Sequence, residues 1–251
     1  MTNGSIVSAR SQPRPLRSAA AALACLVAAS SLAACSGSDK DGGEEGTPWS
    51  EASVKAKELL DNTSGVELSL TTTDDPGVDY LSKATGTIVA DPPAFEGKVS
   101  GVVSGFPAND LDVISVDGTL WVDISILGGW TDKYQPADLC APDPATLLDP
   151  DSGVSNVLTS TEDVRAGKSE RGGADNSDVF RTYSGTATGD SIRSILPCAE
   201  GDGFDITYRV DDSGHLRSAK VSGVFFPNAD EVTYTIDVDK YDVTKDISAP
   251  K

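Results

Sequence analysis

Histidine is almost missing from this chain: His215 is the only one in 251 residues. That excludes metal centres built on several imidazoles and removes the usual general base near neutral pH. No Cys-x-x-Cys spacing exists to replace them. There is no Gly-x-Ser-x-Gly elbow, no phosphate-cradling glycine loop ending in Lys-Ser/Thr, and no Gly-x-Gly-x-x-Gly. Serine-hydrolase, nucleotide and dinucleotide chemistry therefore have no sequence support. Asp149, Asp151 and Ser152 faintly resemble a calcium loop, but Pro150 and the missing terminal Glu argue against an EF-hand. Aromatic residues make up 6%, few for the stacking platforms of carbohydrate sites, although 39 acidic residues leave a weak carboxylate hydrolase as a rival reading. Positive charge is scarce as well. Twenty Lys and Arg face those acids, for a formal charge of −19. So acidic a surface speaks against nucleic acid and against electrostatic docking on anionic headgroups. Finally, no apolar run reaches the roughly 20 residues of a spanning helix.

What is present begins with a leader. Arg10, Arg14 and Arg17 precede an apolar segment, Ala19 to Leu32, with the length and flanks of a secretory signal peptide. It ends in Leu32-Ala33-Ala34-Cys35, which resembles a bacterial lipobox. The resemblance implies cleavage before Cys35 and a diacylglyceryl group on its thiol. The expected division is residues 1–34 as signal peptide, 35–48 as lipidated cysteine and flexible tether, and 49–251 as one domain. The expected location is the extracytoplasmic face of the cell membrane. Since the leader holds three arginines and no acid, the remainder is more acidic still. Attachment then rests on acyl chains, each methylene contributing about 0.8 kcal/mol. With Cys25 in the leader and Cys35 acylated, Cys140 and Cys198 remain. An even pair in an exported domain is expected to be bonded.

Along the chain, Ser36 to Thr47 has tether composition. Ser50 is positioned to cap a helix with Val54, Leu59 and Leu60 as its stripe, ending near Asn62 to Gly65. Alternation then predicts strands at Val66–Thr71, Ala84–Ala90, Phe95–Gly105, Leu111–Val116 and Leu120–Ile126, the last pair turning at Asp117-Gly118. A Pro- and Asp-rich middle follows, with Leu147 and Leu148. Next comes a short helix carrying Val157 and Leu158, capped from the Asp149–Ser152 cluster. Strands return at Glu162–Glu170 and Val179–Ala187. A second short helix, capped by Asp190, presents Ile192 and Ile195. Phe204–Val210, Leu216–Phe225 and Val232–Val238 close the domain. His215, after Ser213-Gly214, is expected to face solvent. About ten strands and three short helices in meander order predict an α+β domain: one strongly bent antiparallel sheet with helices on one face.

The strand at Phe95–Gly105 is unusual. Gly97, Gly101 and Gly105 fall on one face with Phe95, Val99 and Val103, and Gly86 and Ile88 share a face on the strand before. Glycine leaves its part of a face empty. Either helices pack close and fill that space, or it stays open as an apolar cavity.

Five segments carry a family resemblance. They are Trp130–Tyr134, Pro144–Leu158 with its Leu-Leu-Asp-Pro-x-x-Gly-Val core, Ser184-Gly185-Thr186, Asp190–Pro197, and Asp211–Leu216. In this order they resemble the LppX/LprAFG family of actinobacterial lipoproteins, over about residues 49 to 245. The resemblance implies a half-barrel with short helices on its concave face, similar to the LolA/LolB carriers, around a large apolar cavity. It implies a non-enzymatic protein without cofactor. Its ligands would be acylated glycolipids or phospholipids, moved toward the outer envelope, with a membrane transporter as a further partner. That favours the open cavity. Alternation then assigns Gly86, Ile88, Gly97, Val99, Gly101 and Val103 to its sheet side, and Leu147, Leu148, Val157, Leu158, Ile192 and Ile195 to its helix side. A Cys140–Cys198 bond is no part of the resemblance and would clip the middle segment beside the cavity mouth. The rival from another class is a docking lipoprotein with a filled core.

Overall fold

The computed structural model describes residues 47–125, 128–173 and 177–251. The leader, Cys35 and most of the tether lie outside the described residues. The first element is α1, Trp49–Asp61. Its buried positions are Ala52, Ser53, Ala56 and Leu60, a stripe of mostly small residues that permits close packing. Val54, expected on that stripe, is 59% exposed. Pro48, rather than Ser50, occupies the N-cap, with no side-chain bond to the helix.

Eleven strands form one antiparallel sheet. β1 is Gly65–Thr71, β2 Tyr80–Ala90, β3 Pro93–Val103, β4 Phe106–Val116, β5 Thr119–Ile124 and β6 Gly129–Thr131. After the middle segment come β7 Thr161–Gly172, β8 Asp178–Thr188, β9 Gly203–Asp211, β10 Leu216–Gly223 and β11 Val232–Tyr241. Their spatial order is β6-β5-β4-β3-β2-β1-β11-β10-β9-β8-β7. Two meanders thus run outward from a central seam, where β1 pairs with β11.

Two hairpin turns follow their local chemistry. Asp117-Gly118 joins β4 to β5 with both residues at positive φ, the pattern of a tight two-residue turn. Ser104-Gly105 does the same between β3 and β4, at φ 54 and 75. The expected strand at Phe95–Gly105 therefore ends at Val103, and β4 starts at Phe106, five residues earlier than alternation alone indicated. Asp110, also at positive φ, lies in an irregularity that interrupts the apolar alternation there. β6 had no sequence signature; it is three residues long.

The helices pack on the concave face. α2 is Ser155–Ser160 and α3 is Gly189–Arg193. Lys57 fastens α1 to α2, its Nζ 3.0 Å from both an Asp61 carboxylate oxygen and Ser155 Oγ. The Asp149 cluster caps a turn and not the helix: Asp149 Oδ1 accepts from the amides of Asp151 and Ser152 at 2.9 and 2.8 Å. These bonds hold its carboxyl below the usual range. Likewise Thr188, not Asp190, caps α3, accepting from the Ser191 amide at 3.3 Å. Single-turn helices at residues 136–139 and 144–146 complete the middle segment.

Candidate functional site

The register brings a row of apolar side chains together at the seam. Leu68 opposes Val238, and Leu70 opposes Ile236, across β1 and β11. Ile236 in turn faces Ala219 on β10, and Ala219 faces Tyr208 on β9. Over this row, the helices and the middle segment leave a cavity of about 270 Å³. Its sheet wall also includes Val66, Leu81, Ile88, Ile206, Val221 and Tyr234. Leu60, Val157, Leu158 and Ile192 close it from the helices, and Leu139–Pro142, Leu147, Leu148, Ile195 and Leu196 from the connecting segments.

The wall is apolar, and its two side-chain hydroxyls are engaged. Tyr208 Oη shares a 2.7 Å hydrogen bond with Thr161 Oγ1, and Tyr234 Oη donates to the Leu81 carbonyl at 2.8 Å. Burial pushes both phenols well above their ordinary range, so they stay neutral. Trp49 stacks on Tyr208 with centroids 4.8 Å apart and a 15° tilt. Tyr183 Oη reaches back to the Thr47 carbonyl at 2.8 Å, fixing the chain where the fold begins. Exposure is graded. Val66 and Ile88, paired at one end of the seam, are fully buried, as are Leu158 and Tyr208, whereas Leu70, Leu81, Ile195 and Ile236 are partly exposed.

Of the residues predicted to line a cavity, Ile88, Leu147, Leu148, Val157, Leu158, Ile192 and Ile195 stand in this wall. Gly86, Gly97, Val99, Gly101 and Val103 do not. For Gly86 and Gly97 the reason is Phe95. Its ring folds back over the Gly86–Gly97 pair, where an added Cβ on either glycine would come within 2.5 Å of it. The turn at residues 144–146 packs on β2, β3 and β4, with Ala145 buried. It is held by Asp143, which accepts from Ser115 Oγ at 2.6 Å and from the Ala145 amide at 3.0 Å. Close packing therefore fills the glycine region, and the open volume lies at the seam. Leu68, Leu70, Ala219, Val221, Ile236 and Val238 escaped sequence reasoning as wall residues. Their alternation was plain; their convergence needs the β1–β11 pairing.

Cys140 and Cys198 are joined by a disulfide across 58 residues, their Cα atoms 5.8 Å apart. Cys140 itself contributes to the wall. The bond ties the Leu139–Pro142 segment to the chain just beyond α3. His215 is not turned to solvent as expected: 24% of its side chain is exposed, and its ring packs against Tyr241 at 4.5 Å. It stands apart from the cavity wall. Among the described residues no cluster of His, Cys, Asp or Glu is placed to hold a metal ion, and no helix is long and apolar enough to cross a membrane.

Residues 50–248 match the model of the LppX_LprAFG lipoprotein family. The chain belongs to this family. Within LppX_LprAFG, it is 28% identical over 192 residues to the lipoarabinomannan carrier protein LprG of Mycobacterium tuberculosis (strain H37Rv), covering 75% of this chain and 77% of that one. To the protein of the same name from Mycolicibacterium hassiacum it is 26% identical over 183 residues, covering 69% and 73%. Two solved structures share the fold. LprF from Mycobacterium bovis superposes with a TM-score of 0.64 at 15% identity, over 82% of this chain and 99% of that one. LppX from Mycobacterium tuberculosis gives 0.58 at 14%, over 80% and 98%. The half-barrel predicted from the sequence is thus the LppX_LprAFG fold.

Proposed function

We propose that this protein is a membrane-anchored carrier that takes the acyl chains of a lipid into the seam cavity and helps move that lipid across the cell envelope. One observation carries the reading: an apolar cavity whose only side-chain hydroxyls, among the described residues, are already bonded within the fold. Such a wall offers nothing to a polar substrate. It accepts methylenes at about 0.8 kcal/mol each. A headgroup would remain at the half-exposed end, beside Leu70, Leu81 and Ile236. The volume, about 270 Å³, lies just below the roughly 300–1,000 Å³ common for ligand pockets. The name of its relatives, lipoarabinomannan carrier protein, supports a carrier role, and the ligand class proposed here is an acylated glycolipid or phospholipid.

The remaining parts follow from this reading. Residues 1–34 direct export, Cys35 bears the permanent lipid, and residues 35–48 tether residues 49–251 to the extracytoplasmic face of the cell membrane. A membrane transporter would supply or receive the cargo. Among the described residues, no nucleophile or acid–base pair lines the cavity, and the reading is one of binding and transfer. The test is native mass spectrometry of the full chain purified from an actinobacterial host, followed by lipid extraction. One acyl lipid bound per chain, besides that on Cys35, is the expected result. Recovery of none would overturn the reading in favour of a docking lipoprotein.

A further inference from the structure

Among the described residues, two large apolar side chains are exposed, Val54 and Phe106, and Phe106 is the more so at 74%. Phe106 opens β4 at the tip of the β3–β4 hairpin, directly opposite Val103. This tip runs past the end of β1, beside β2, whose Tyr80 pairs with Val102. β1 ends at Thr71, which pairs with Lys83 of β2, and Lys83 pairs with Ser100 of β3. Gly101, Val102 and Val103 continue beyond that row, an extension of about 10 Å at roughly 3.3 Å per residue.

Three features give the tip a purpose. It is firmly held: Asp79 accepts from the amides of both turn residues, Gly105 at 2.9 Å and Ser104 still closer. No turn amide is left to be desolvated without a partner. It is also continuous with the cavity, since Gly101 pairs with Leu81, a residue of the half-exposed wall. Finally, its charge is of one sign. Residues 100–110 contain no Lys or Arg, and Asp79 and Asp110 are exposed.

We propose that the β3–β4 tip is a membrane-contacting finger. Phe106 and Val103 enter the boundary between headgroups and acyl chains of a zwitterionic bilayer, and so bring the open end of the cavity to the lipid surface. The contact is apolar and not electrostatic. The flanking carboxylates repel anionic headgroups, whereas a zwitterionic interface accepts an aromatic side chain without a basic partner. The finger's use in lipid pick-up rests on the carrier reading above; the contact itself does not.

The test uses the full chain, anchored in phosphatidylcholine vesicles, with Phe106→Trp as a reporter. Vesicles whose acyl chains carry bromine should quench its emission more than that of the parent chain. Mixing in phosphatidylglycerol should reduce that extra quenching. No extra quenching, or more of it with the anionic lipid, would overturn the proposal. A second variant, Phe106→Ser, should take a labelled phospholipid from vesicles roughly tenfold more slowly, as loss of one buried aromatic side chain implies. It should take up a monomeric labelled fatty acid as the parent does, because Phe106 is outside the wall. Equal rates from vesicles would also sink the finger. If the parent takes up neither lipid, the carrier reading fails, while the quenching result stands on its own.

Discussion

Gly86 lies directly opposite Gly97 in the β2–β3 ladder, and the bare patch between them is occupied by the ring of Phe95. A Cβ on Gly86 would stand 2.6 Å from the Glu96 carbonyl as well as against the ring, and one on Gly97 would overlap the Thr85 carbonyl. Replacing glycine by alanine in a strand ordinarily gains about 0.4–1 kcal/mol through the unfolded state. Here the backbone collision outweighs it. Gly97→Ala is expected to lose about 1–3 kcal/mol, the usual range for overpacking, in a urea titration. Lipid uptake per folded molecule should not change.

The seam, not the glycine strand, should control uptake. Ile236 is half-exposed in the cavity wall between Leu70 and Ala219. Ile236→Trp should displace a fluorescent fatty acid and weaken its binding at least about tenfold, equivalent to roughly 1.4 kcal/mol. Thermal unfolding should shift little, since the added rings fill empty volume. Val99→Trp is expected to do the reverse. Val99 packs against the core opposite Leu111, so the larger side chain should lower stability and leave binding intact.

Acid should loosen the β9–β10 hairpin. Burial raises the Asp211 carboxyl, but the Arg217 guanidinium at 2.7 Å and the His215 amide at 3.0 Å outweigh it, and the net shift is downward. A carboxylate held low in the folded state binds fewer protons there than when unfolded. Its contribution is therefore complete above the ordinary aspartate range, about pH 4, and is lost as pH falls through the depressed value. Urea midpoints measured from neutral pH downward should decline below that point. In Asp211→Asn the neutral midpoint should be lower and the acid decline shallower.

Removing the disulfide tests a different part of the wall. Cys140→Ala combined with Cys198→Ala should cost roughly 2–4 kcal/mol, as expected for a bond closing a loop of this size. The released Leu139–Pro142 segment should also let the protein accept bulkier acyl ligands in the same displacement assay.

Most of the strands were legible because alternation is a local signal, and Asp117-Gly118 fixed its hairpin outright. The helix-side residues Leu147, Leu148, Val157, Leu158, Ile192 and Ile195 could be placed because short amphipathic stretches have one way to face a sheet. Phe95 could not be read, since its backbone position puts it in the glycine row while its ring reaches back across two neighbours. Nor could the seam. β1 and β11 are separated by the whole domain, and nothing in Leu68 or Val238 announces the other. Cap positions failed for a smaller reason: Ser50 and Asp190 have capping chemistry, but Pro48 and Thr188 sit where the chain turns.

The sheet's free margins, β6 and β7, set this vessel apart from a closed barrel. A closed barrel fixes its girth through an unbroken circuit of backbone bonds. Here β6 and β7 are not bonded to each other, so no ladder bond fixes the distance between the margins, and one covalent stitch, Cys140 to Cys198, ties the segment after β6 to the chain beyond β8. Capacity then becomes an elastic property of curvature. Under the proposed carrier role, cargoes of unequal bulk would share one interior, each setting the radius it requires.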